Sequence, residues 1–175
     1  MKQIYICYLP ADSVLLNKNW LNSAAAWFAG TPSDGRSKPM IHVELFFSDG
    51  TTNGNVLNGK SCGIHYNGKV FLQPKKFSNT LWQCTGKTVS DKVYENLLQT
   101  CSNRVGDSFA KGSYFCGLPK GPNEWYCSQL VGYCLRETGI FDLSDDDCSH
   151  PEKLYTALKP HTYVHTIRSL SSLQI

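Results

Sequence analysis

Several features are missing from this 175-residue chain, and their absence narrows what it can be. No apolar run reaches the roughly 18 residues that a membrane-spanning helix needs. The best stretch, Ala24-Ala25-Ala26-Trp27-Phe28-Ala29, falls far short. No Cys-x-x-Cys pair occurs, and a spacing such as Cys127 to Cys134 does not suit a structural zinc site. No Asn-x-Ser/Thr sequon points to secretion. Neither sign of charge dominates: 17 basic against 14 acidic residues leave a formal net charge of +3. The basic residues are scattered, so nothing argues for a nucleic-acid partner. There is no internal repeat, linker or low-complexity segment, and the length suits one domain spanning residues 1–175.

What is present is a folded composition, with 41% apolar and 18% charged residues. Eight cysteines would allow a disulfide framework, but a chain of this size does not need one. The segment Ile4 to Leu9 is too short for a signal peptide and lacks a small-residue cleavage site. Reduced thiols and an intracellular, cytoplasmic setting are therefore expected.

Local patterns predict an α+β domain, a central antiparallel meander packed against helices. Gln3 to Leu9 reads as a buried strand, and Ser13 to Phe28 as a helix stopped by Gly30. The segments Ile41 to Phe47, Thr51 to Leu57, Cys62 to Tyr66 and Lys69 to Leu72 are separated by Asp49-Gly50, Asn58-Gly59 and Asn67-Gly68. Such dipeptides are strong hairpin signals. Ser90 caps a second helix, Cys127 opens a third that Gly139 stops, and His150-Pro151 opens a fourth. Tyr163 to Ile167 reads as a last strand.

Cys127 is the residue around which the chemistry is built. It follows a loop containing Gly117, Pro119, Gly121 and Pro122 and begins an apolar helical stretch. Free N–H groups and the positive end of the helix dipole favour a thiolate at such a position. The other seven cysteines read as core. A nucleophilic cysteine needs an imidazole, itself held by a third polar group. Ile41, Val43, Leu45 and Phe47 form one face of a strand, which leaves His42 and Glu44 displayed on the other. A two-residue turn at Asp49-Gly50 would set Glu44 opposite Asn55 and His42 opposite Leu57. Glu44 along the strand and Asn55 across it are thus both candidates to orient His42. His65, beside a turn, reads as surface, and His150 as a helix-start residue. His161 falls in a loop, and His165 in the short last strand.

Ile41-His42-Val43-Glu44-Leu45 and Tyr126-Cys127-Ser128-Gln129-Leu130-Val131 resemble the circularly permuted branch of the NlpC/P60 papain-like superfamily. In that branch the histidine strand precedes the cysteine helix. The similarity extends to Ser48-Asp49-Gly50 and to His150-Pro151-Glu152-Lys153-Leu154-Tyr155. Similar proteins occur in bacteria and in large DNA viruses, so a viral origin would place this chain in a host cytoplasm. The resemblance implies a papain-like fold and a thiol hydrolase or acyltransferase without cofactor or metal. Cys127 would be the nucleophile and His42 the base, with Glu44 or Asn55 as third member. A peptide or amide substrate is the leading expectation. Lipid acyl transfer or lipid-ester cleavage is the alternative, and a binding domain without activity is a third.

Overall fold

The computed structural model describes residues 1–13, 15, 20–54, 56–78, 81–111 and 120–164. The element order is β1 (Lys2–Pro10), α1 (Trp20–Ala29), β2 (Met40–Asn53), β3 (Val56–Gly63), β4 (Phe71–Ser78), β5 (Gln83–Val89) and α2 (Asp91–Ser102). There follow β6 (Ser108–Phe109), β7 (Glu124–Trp125), α3 (Cys127–Glu137), α4 (Pro151–Leu158), a 3-10 turn (Lys159–His161) and β8 (Tyr163–Val164). Five strands form an antiparallel sheet, and the short β8 extends one edge to give the order β4-β3-β2-β1-β5-β8. The α+β architecture expected from the sequence is present. No helix among the described residues is long and apolar enough to cross a membrane.

Strand alternation sends Ile4, Ile6 and Tyr8 of β1 and Val43, Leu45 and Phe47 of β2 to one face, where they form a core with α2, α3 and α4. The opposite face is not the open display that the sequence suggested. Tyr5, Cys7, Leu9, Phe46, Leu57, Phe77, Trp82 and Cys84 form a second apolar cluster there. Phe77 packs edge-on against Trp82 at 4.6 Å. Glu44 is fully buried on this face.

The meander departs from its expected turns. β2 runs without a reversal through Asp49-Gly50 to Asn53, and β3 runs through Asn58-Gly59. The register is Leu45↔Cys62 and Ser48↔Gly59, then Thr52↔Leu57 and Asn53↔Val56, with a shift between Ser48 and Thr52. Asp49-Gly50-Thr51 is therefore a bulge: Gly50 has φ 84°, and Asp49 Oδ1 accepts from the Thr51 N–H at 2.8 Å. Gly59 serves close approach rather than reversal, because a Cβ there would overlap the Phe47 carbonyl. Asn67-Gly68 does turn the chain, with Asn67 at φ 61°.

The helix boundaries follow their local signals. Ser90 Oγ accepts from the Val93 N–H, capping α2. Gly139, at φ 66°, ends α3, and the Ile140 N–H returns to the Leu135 carbonyl. Pro151 occupies the first turn of α4 behind the N-cap His150, whose Nδ1 accepts from the Glu152 N–H. The described part of the first helix is shorter than expected, starting at Trp20, and positions 14 and 16–19 lie outside the described residues. The last strand is described only to Val164.

Candidate active site

Two devices deliver Cys127 to its position. The β6–β7 pair sets Phe109 beside Trp125, and the Trp125 indole donates to Asp107 Oδ2 at 2.9 Å. The chain is thus pinned two residues ahead of the cysteine. Leu130, Val131, Cys134 and Leu135 then bury one face of α3 against the sheet. The N-cap Tyr126 makes no side-chain cap, so the N–H groups of the first turn are not taken by one.

His42 comes from the other side, on β2, paired with Leu9 of β1. The entry to this strand is anchored by the buried Glu152, whose Oε2 accepts from the Met40 N–H at 2.7 Å. Arg36 donates to Oε1 of the same carboxylate at 2.5 Å and lies over the Tyr155 ring. His42 retains 14% side-chain exposure, and Cys127 lies close enough to act on its ring. Its Nε2 stands 3.1 Å from Glu44 Oε1, which leaves Nδ1 as the ring nitrogen for the thiol. The sequence-selected trio Cys127, His42 and Glu44 is therefore brought together. Asn55, the rival to Glu44, lies outside the described residues. The register that would have put it opposite Glu44 is replaced by Leu45↔Cys62 and Asn53↔Val56.

Three further residues complete the site, and sequence reading missed their part in it. Ser61 Oγ donates to Glu44 Oε2 at 2.6 Å. Lys75 Nζ, from β4, reaches across β3 to lie 2.7 Å from each carboxylate oxygen. It can do so because alternate residues of β3 on this face are Gly59, Ser61 and Gly63. A Cβ at Gly63 would come within 2.8 Å of Glu44 Cγ. That small-residue alternation was the signal in the sequence. The third is His65, exposed as expected but stacked on His42 with ring centroids 5.3 Å apart. Phe71 stacks behind it at 5.0 Å, and Trp82 meets His42 edge-on at 6.0 Å. Trp82 and Trp125 are both buried. His165 lies outside the described residues.

Electrostatics follow from these contacts. Burial alone would lower the His42 pKa, but the Cys127 and Glu44 hydrogen bonds and charges raise it to about 9. Burial alone would raise that of Glu44, and His42 and Lys75 instead hold it down at about 2. Burial lowers the His65 pKa, and the His42 charge adds to this. Donor atoms of His42, Glu44 and His65 lie within 4.8 Å of one another, close enough to consider a metal. The ammonium of Lys75 on both Glu44 oxygens opposes a cation there, and the cluster is an ion-pair network instead.

Tyr5 and Tyr8 on β1, beside β2, and Tyr126, just before Cys127, are the tyrosines that an oxyanion role would call on. Tyr5 belongs to the second apolar cluster, and burial pushes its phenol up to about 12. Tyr8 packs edge-on against Tyr155 at 5.2 Å in the main core, and Tyr126 is the N-cap of α3. The seven described cysteines are free thiols, with Cys134 in the core as expected. The arrangement offers a thiol at a helix start, an imidazole against it and a fixed carboxylate behind. No protein-family model, curated protein or solved structure matches this chain.

Proposed function

We propose that this protein is a cysteine-nucleophile hydrolase of amide bonds, a peptidase or amidase of papain-like, permuted NlpC/P60 type. The observation that carries the reading is the convergence of Cys127 and Glu44 on the His42 ring, with the Glu44 carboxylate 3.1 Å from its Nε2. In the reaction, the Cys127 thiolate attacks the carbonyl carbon of the substrate, and the carbonyl electron pair moves onto oxygen. The Cys127 backbone N–H, at the start of α3, faces the developing oxyanion. Collapse expels the amine, which takes its proton from the His42 imidazolium, and a thioester remains. Water then gives a proton to the neutral His42 and attacks the thioester, releasing the acid and restoring the thiolate–imidazolium pair. Glu44 holds the ring orientation through both steps.

The test compares Cys127→Ala and His42→Ala with the unaltered chain on peptide, muropeptide and phospholipid substrates side by side. Hydrolysis of an amide that both substitutions abolish is expected. Activity that survives Cys127→Ala, or iodoacetamide labelling of Cys127 no faster than of Cys134, overturns the reading. Cleavage confined to phospholipid would replace amide hydrolysis with lipid-ester chemistry.

A further inference from the structure

We propose that Lys75 is a positioning residue of this site, holding the Glu44 carboxylate behind His42 and offsetting its charge so that the imidazolium can release its proton. The inference rests on the reading of Cys127 and His42 as nucleophile and base. Lys75 is not an ordinary surface partner. Exposed pairs such as Lys153–Asp146 leave both side chains at least half in water, whereas the Glu44 side chain is wholly buried and that of Lys75 is 24% exposed. The ammonium lies 2.7 Å from each Glu44 oxygen and 4.8 Å from the ring centroids of both Phe77 and Trp82. Trp82 also meets the His42 ring, so one aromatic side chain braces both ends of the network.

The consequence is an ordered row of charges. Lys75, Glu44 and a protonated His42 alternate in sign along touching groups, and the thiolate that the proposed reaction puts on Cys127 would bring the sum to zero. Without Lys75 the remaining three would carry one net negative charge in a buried place. Glu44 would then grip the imidazolium harder, and proton delivery to a leaving group would be more difficult. Among the described residues, few other groups face this row. His65 stacks on His42 from the β3–β4 turn, and Ser61 donates from β3. Cys7 is paired with Glu44 on one side and with Cys84 of β5 on the other, and its thiol is pushed well up by burial.

The experiment measures carboxymethylation of Cys127 by iodoacetate against pH in the full chain. Iodoacetate is an anion that the His42 imidazolium attracts, so the alkaline fall in rate reports the loss of the His42 proton. An NMR titration of the histidine rings measures the same proton directly. Lys75→Met, which keeps the stem and loses the charge, should move both upward by on the order of one pH unit. Lys75→Arg should leave both near the original position. Should Lys75→Met not fold, Lys75→Gln, which still donates a hydrogen bond, carries the same expectation. A folded neutral variant with both titrations unmoved overturns the role of Lys75 while leaving the dyad intact. If the unaltered chain shows no alkaline fall and His42→Ala reacts as it does, the dyad itself fails, and the role of Lys75 with it.

Discussion

Replacing Glu44 by glutamine should weaken the hold of His42 on its proton, the opposite of neutralising Lys75. The exchange keeps the side-chain volume and one carbonyl acceptor for the His42 Nε2–H, which stands 3.1 Å from the carboxylate in the unaltered chain. It removes the charge that offsets the cost of burying the imidazolium. The raised His42 value of about 9 compares with 6.5 for an unperturbed histidine. That rise, shared between Cys127 and Glu44, is roughly 3 kcal/mol of preference for the charged ring at about 1.4 kcal/mol per unit. An even division assigns Glu44 on the order of 1.5 kcal/mol, or roughly one pH unit. Lys75 acts in the same direction once its partner carboxylate is gone. The His42 titration followed by NMR, and the alkaline fall in Cys127 carboxymethylation, should both move down by at least this amount. Glu44→Gln protein that is folded and titrates as the unaltered chain does would refute the reasoning, because the carboxylate would then not be holding the ring.

Two further predictions concern stability. Glu44 is held at about 2 against 4.5 for a free glutamate, so its contribution is complete above that ordinary value and is lost as pH falls through about 2. His42 is raised, so its contribution is complete below 6.5 and is lost as pH rises through about 9. Urea unfolding across the pH range should give a plateau between those ordinary values, with a decline on each side that Glu44→Gln flattens. Gly132→Ala in α3 should be destabilised by roughly 1–3 kcal/mol, because the added Cβ would overlap the buried Cys148 sulfur. Adding Cys148→Ala should restore much of the loss in thermal melts. Failure to restore it would mean that the strain lies elsewhere.

Elements bounded by local chemistry were legible in the sequence. The Ser90 cap, the Gly139 stop and the Pro151 start mark helix ends that the structure reproduces within a residue or two. His42 and Glu44 were legible as a pair because two residues apart on a strand means one face. The turns were not, because a glycine can serve three ends that look alike in sequence. Gly68 reverses the chain, Gly50 sits in a bulge and Gly59 lets β2 come close. Mistaking the second and third for the first altered the register, and with it the neighbours of Glu44. Lys75, Ser61 and His65 join the site through pairings across β3 and β4 and through a turn that folds back on β2. No periodicity within one segment could reveal them. The second apolar cluster was hidden for a related reason, since Phe77 and Trp82 meet Phe46 only after the meander is assembled.

The charge row also decides how the site responds to ionic strength. Dissolved ions screen charges that are more than about 8 Å apart through water at physiological salt. Lys75, Glu44 and His42 stand at hydrogen-bond distance, each from the next, with Glu44 wholly buried between the other two. Added salt therefore has little purchase on the hold of Glu44 on the His42 proton. Any ionic-strength dependence of turnover would arise outside the row, in the approach of a charged substrate to a chain of formal charge +3.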